Sequence, residues 1–123
     1  MTLSNERCVA CRDDATPVTH EELDQLLSQV SGWRLEEKSG VVRLTRTYRF
    51  SSFAPALDFS LTIGQLAEEE GHHPRLITEW GRVTVLWWTH KIGGLHRNDF
   101  VMAAKTDELF RQVCVGTNQA MNR

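Results

Sequence analysis

With 123 residues, 41% hydrophobic and 24% charged, the chain is long enough to bury one sound core and too short for two. A formal net charge of -2 excludes a general electrostatic pull toward nucleic acid or anionic membrane, partners that leave a basic footprint. No apolar run approaches the roughly 20 residues that span a bilayer, and Met1 to Arg7 lack the apolar centre of a signal peptide, so a cytoplasmic protein with three reduced cysteines is expected.

Residues 1–17 are polar and without period, and read as a flexible N-terminal arm. Cys8-x-x-Cys11 within it resembles half a zinc ribbon or a redox pair, but the second half is missing and the pair precedes any core element. A single domain over 18–116 follows, then a frayed tail over 117–123. Thr19 with Glu22 forms a capping box, and Leu23, Leu26, Leu27 and Val30 recur at helical spacing up to Gly32. Two strands come next: Trp33 and Leu35 alternate up to the turn Lys38-Ser39-Gly40, then Val42, Leu44, Tyr48 and Phe50 share one face. Arg46 falls on that apolar face, so it either snorkels at an edge or has a partner.

The longest helix starts at Ser51 or Ser52, tolerates Pro55 in its first turn and ends at Gly71. It carries two apolar sectors, Phe53, Leu57, Leu61 and Gly64 on one side and Phe59, Ile63, Leu66 and Ala67 on the other. A helix apolar on two sides needs two partners, so a homo-oligomer is expected, with burial inside one small domain as the alternative. Leu76 to Trp80 and Arg82 to Trp88 form a second hairpin turning at Trp80-Gly81, with Glu79 and Arg82 as a cross-strand pair. Val83, Val85 and Trp87 face one way and Thr84, Leu86 and Trp88 the other, so this strand is covered partly on both faces. Gly93-Gly94 breaks the chain before a last helix capped near His96 to Asn98, with Phe100, Ala103, Ala104, Phe110 and Cys114 as its stripe. The order αββαββα predicts an α+β fold, a four-stranded antiparallel sheet with helices packed on one face.

The chemistry concentrates in Glu68-Glu69-Glu70-Gly71-His72-His73-Pro74, answered by Thr89-His90 and Asp99, which together hold three of the five histidines. Histidine gives and takes protons at neutral pH, so such a cluster suits acid-base work. The helix C-terminus and Glu68, at i-4 from His72, both favour the imidazolium. Pro74 holds His73 extended, and antiparallel pairing of the following hairpin returns the chain near it at His90. Two other readings stand beside this. Adjacent histidines at a helix end can be simple solvated residues, and Glu68, His72 and either His73 or His90 could bind zinc, although no closely spaced zinc signature such as H-E-x-x-H is present. Of the tryptophans, usually core in a small domain, only Trp88 is placed near the site; His20 and His96 receive no role.

The spacing Glu68-x-x-x-His72-His73-Pro74, then Trp80, His90 and Asp99, resembles the pterin-4a-carbinolamine dehydratases, and the likeness covers nearly the whole chain. Glu70-Gly71-His72-His73-Pro74 with Thr78-Glu79-Trp80-Gly81 and Leu95-His96-Arg97-Asn98-Asp99-Phe100 is similar to bacterial members that serve phenylalanine hydroxylase. The resemblance implies an αββαββα fold, a homodimer or homotetramer, no metal or organic cofactor, and a pterin substrate. It implies dehydration of 4a-hydroxytetrahydrobiopterin to quinonoid dihydropterin, with His73 the principal acid-base catalyst, His72 and His90 assisting, Glu68 orienting a histidine and Asp99 ordering the site. Substrate contacts would fall at Gly71, Trp88, Thr89 and Lys91, of which Gly71 and Lys91 depart from the acidic residues of animal members. Those members also act as dimerisation cofactors of a homeodomain transcription factor, so a protein-binding role is a second implied function.

Overall fold

The computed structural model describes residues 3–8 and 17–113, with the backbone continuing to residue 121. Helix α1 (His20–Gln29) opens on the expected reciprocal cap, Glu22 N–H donating to the Thr19 hydroxyl and Thr19 N–H to the Glu22 carboxylate. Strands β1 (Arg34–Lys38) and β2 (Val41–Arg49) form the first hairpin, α2 spans Phe53–Glu70, and β3 (Arg75–Glu79) and β4 (Arg82–Trp87) form the second. Helix α3 runs Arg97–Met121, so the backbone is helical past Gly116, where a frayed tail was expected.

The four strands make one antiparallel sheet in the order β1-β2-β4-β3. Bidentate pairing of Arg82 with Glu79, at 3.0 and 3.1 Å, closes the second hairpin at its Trp80-Gly81 turn. Alternation along β2 and β4 sends Leu44, Tyr48, Val83, Val85 and Trp87 to the helical side, where they are buried with Phe59 and Ile63 of α2 and Phe100 of α3. Leu86 and Thr45, on the opposite face, are buried as well, as the two-sided pattern of β4 requires. Trp33 and Trp87 are core, Trp88 is half-buried, and Trp80 departs from the expectation for tryptophan: the hairpin tip leaves it 72% exposed.

Arg46 has a partner. Its guanidinium meets Asp107 of α3 at 2.8 Å and lies over the Tyr48 ring, while Trp33 Nε1 and the Tyr48 hydroxyl donate to the same carboxylate oxygen. Burial and the neighbouring Asp107 carboxylate push the Tyr48 phenol far above its ordinary range, so it remains a donor. The two sectors of α2 separate as its periodicity demands: Phe59, Ile63 and Ala67 are buried, whereas Phe53, Leu57 and Leu61 are 43%, 51% and 64% exposed.

Of the expected flexible arm over 1–17, the structure describes residues 3–8 and 17. Residues 3–8 are docked, not loose: Leu3 is buried in the core, Lys105 Nζ donates to the Ser4 carbonyl, and Arg97 pairs with Glu6 through two bonds of 3.0 and 2.7 Å. Arg7 and the Cys8 amide both bind the Glu70 carboxylate at the end of α2. A single apolar anchor and complementary charges suffice to hold a segment that has no period of its own. Cys11 lies outside the described residues, as does the side chain of Cys114.

Candidate active site

Helix α2 ends where the site begins. Gly71 takes a left-handed conformation (φ 65, ψ 29), which L side chains rarely adopt, and the His72 amide returns to the Ala67 carbonyl at 3.1 Å. That turn ends the helix at Gly71. His72 points inward, 7% exposed and stacked on Trp87 with ring centroids 5.7 Å apart and planes 11° apart. His73 points outward with 57% of its side chain exposed. Pro74 then starts the extended run of β3.

Asp99 gathers three hydrogen bonds in the interior. Its fully buried carboxylate takes His72 Nε2 on Oδ1 at 2.6 Å, and the Thr89 hydroxyl and His96 amide on Oδ2 at 2.8 and 2.9 Å. A carboxylate with these donors is acceptor-only, so His72 carries its proton on Nε2 and is locked in that tautomer. The bond from the His96 amide is also one half of a capping box on α3, because His96 Nδ1 accepts from the Asn98 amide at 3.0 Å. His96, expected to have no role, therefore starts the helix that carries Asp99. A cap near His96 to Asn98 was expected; the spacing His96-x-x-Asp99 was the available signal for its reciprocal bond to the carboxylate.

Thr89 passes this order on to His90. Its backbone bridges to Gly94, with Thr89 N–H donating to the Gly94 carbonyl at 2.8 Å, and the loop between them is a single turn over His90–Ile92 closed by left-handed Gly93. His90 and Lys91 are exposed on that turn. The His90 ring lies 4.5 Å from the Trp88 ring, and Trp88 in turn lies under the Arg43 guanidinium at 4.5 Å. Pairing of Arg75 with Leu86 ends the β3–β4 ladder, leaving two residues back to His73 on one side and two forward to Trp88 on the other. The second hairpin thus brings the His73 and Trp88–His90 segments to the same end of the sheet.

Glu68 meets a histidine, but not the one its spacing indicates. Its carboxylate is 3.0 Å from His73 Nε2, because the Gly71 turn carries His72 inward to Asp99 and leaves His73 over the last turn of α2. Both members of this pair are exposed. Among the described residues no group of three or more histidine, cysteine, aspartate or glutamate side chains has metal-binding geometry, Glu68 and His72 pointing to different partners. The arrangement is one buried, tautomer-locked imidazole and two exposed imidazoles, a set able to donate and accept protons at a ligand on the surface of this sheet end.

A family model for pterin 4 alpha carbinolamine dehydratase matches residues 16–109. The chain belongs to the pterin 4 alpha carbinolamine dehydratase family. It is 53% identical over 113 residues to a Gloeobacter violaceus relative, covering 92% of this chain and 97% of that one, and 47% identical over 110 residues to one from Microcystis aeruginosa, covering 89% and 95%; the names of both assign them as pterin-4-alpha-carbinolamine dehydratases. Membership makes the chain a dehydratase, a hydro-lyase. A crystal structure described as a transcriptional coactivator/pterin dehydratase from Brucella melitensis is similar at a TM-score of 0.68 and 29% identity, covering 76% of this chain and 98% of that one. A pterin dehydratase-like protein identified as a RuBisCO assembly factor in the alpha-carboxysome is similar at 0.54 and 25% identity, covering 63% and 88%. The α+β order of helices and strands is that of the pterin dehydratase fold.

Proposed function

We propose that this dehydratase acts on 4a-hydroxytetrahydrobiopterin and does so by histidine acid-base catalysis without a metal or organic cofactor. The hydroxyl on C4a leaves with one delivered proton as water, the N5 proton is withdrawn, and a C4a–N5 double bond forms in the quinonoid dihydropterin. His73 is the principal acid-base group, with Glu68 holding its Nε2; His72 and His90 assist, and Gly71, Pro74, Trp88, Thr89 and Lys91 frame the substrate. The observation that carries this reading is the Asp99 carboxylate, which gathers buried His72 and the Thr89 anchor of the His90 turn at one point beside exposed His73.

The product would return to an aromatic amino acid hydroxylase, for which phenylalanine hydroxylase is the candidate partner, in the cytoplasm. Among the described residues no helix is long and apolar enough to cross a membrane. The exposed row Phe53, Leu57 and Leu61 supports a homodimer or homotetramer built on α2. A protein-binding role is the second reading, favoured by the coactivator and assembly-factor names of the two structural relatives. Mixing the purified protein with freshly generated 4a-hydroxytetrahydropterin separates the two: accelerated water loss supports the enzyme, and an unchanged rate leaves the binding role.

A further inference from the structure

Arg43 sits on β2 directly opposite Trp88, one step beyond the last ladder pair, Leu44 with Trp87. Its guanidinium lies over the indole at 4.5 Å, and the indole meets the His90 ring at 4.5 Å with planes tilted 38°. Two of its donors, Nε and Nη1, are shielded from solvent and have no hydrogen-bond partner among the described residues. Glu36 is its neighbour across β1–β2. Leaving shielded guanidinium donors without a protein acceptor opposes folding, and one cation–π contact does not fully offset it. An interaction that a stable fold alone does not require, placed against a candidate catalytic ring, is where function accounts for residual strain.

We propose that Arg43 is a positioning residue: it clamps the Trp88 indole in one plane, and that plane fixes the orientation of the otherwise exposed His90 ring. Thr89 and its bridge to Gly94 fix only where the His90 backbone stands. The Trp88 indole is the aromatic ring that His90 meets, and it bears on the side-chain torsions that the backbone bridge leaves open. A flat guanidinium suits a flat indole, which a lysine ammonium on a flexible stem does not match. The inference rests on the dehydratase reading for the use made of His90, but the clamp itself does not.

The test follows the His90 Cε1–H resonance of the full-length protein, assigned with His90→Gln, together with dehydration kinetics in Arg43→Ala, Arg43→Lys, Trp88→Ala and the Arg43→Ala/Trp88→Ala double variant. Loss of the clamp should move the His90 resonance in Arg43→Ala toward its position in Trp88→Ala and lower kcat by about tenfold with KM nearly unchanged. Arg43→Lys should fall between wild type and Arg43→Ala, and the double variant should be no slower than Trp88→Ala alone. An unmoved His90 resonance in Arg43→Ala or, should that variant not fold, in Arg43→Lys overturns the clamp, as do additive losses in the double variant. If wild type itself does not accelerate dehydration, the dehydratase reading fails while the resonance still decides whether Arg43 restrains His90.

Discussion

His72 Nε2 and Asp99 Oδ1 stand 2.6 Å apart across 27 positions of sequence, both buried, and this bond joins the end of α2 to the start of α3. It links stability to the site. Asp99→Asn offers one oxygen and one amide where the native carboxylate accepts three donors, so at least one donor is left facing an NH2 group. The expected loss is about 3 kcal/mol in urea unfolding, from a buried unmatched donor and a lost charge-assisted bond. Dehydration should fall by about a hundredfold through misplacement of His72 and the His90 turn. A variant with native stability and rate would show that the network is not needed.

Gly71→Ala isolates backbone strain. Beyond the adjoining residues no atom among the described residues lies within 4 Å of an added Cβ, so the cost comes from its left-handed φ of 65, roughly 1 to 2 kcal/mol. The variant should unfold at lower denaturant with an unchanged slope, and a midpoint equal to wild type would contradict the assigned geometry.

The docked N-terminal segment should respond to acid. The hydrogen bond from Arg97, with coulombic help from Arg97 and Lys105, holds the Glu6 carboxyl below its ordinary value of 4.5, against a smaller upward push from burial. Its folded pKa is depressed, so its contribution is fully present above the unfolded value and is lost as pH falls through the folded one. The pair is partly exposed and screened, which limits the effect to under about 1 kcal/mol. The Glu6 amide, bonded to the Leu3 carbonyl at 3.0 Å, should lose exchange protection as the pH falls below the ordinary carboxyl value of 4.5 in wild type, with Glu6→Gln insensitive to that change. Equal behaviour of the two proteins would separate docking from this pair.

The exposed row on α2 gives an assembly prediction. Wild type should sediment as a dimer or tetramer, and Leu57→Glu with Leu61→Glu should yield a smaller folded species, since two carboxylates cannot be buried unpaired in an apolar contact. Gly64→Ala, open to solvent in the single chain, should raise helix stability by about 1 kcal/mol unless the helices of two copies approach closely there. A strictly monomeric wild type would refute the two-sided reading of α2.

Local rules were legible in the residues and long-range ones were not. The Thr19–Glu22 box, the Trp80-Gly81 turn, the two sectors of α2 and the αββαββα order all follow from spacing. The i,i+4 rule favoured Glu68 with His72, yet Gly71 exchanges the partners, because a left-handed residue redirects the chain in a way helical spacing does not describe. The docking of Leu3 depends on contact with α3 far along the chain, and the Arg43–Trp88 contact depends on β2–β4 register, so neither leaves a local pattern. His96, expected at the helix start but given no role at the site, reaches it through the bond from its amide to Asp99, a partner that capping alone does not name.

The central claim, that the exposed His73 moves the proton in dehydration of the carbinolamine, is tested most directly by stopped-flow water loss from freshly generated 4a-hydroxytetrahydropterin with wild type and His73→Ala. The account predicts strong acceleration by wild type and a fall of about 10²-fold or more in His73→Ala with the fold intact. A His73→Ala variant that dehydrates the substrate at the wild-type rate would contradict it.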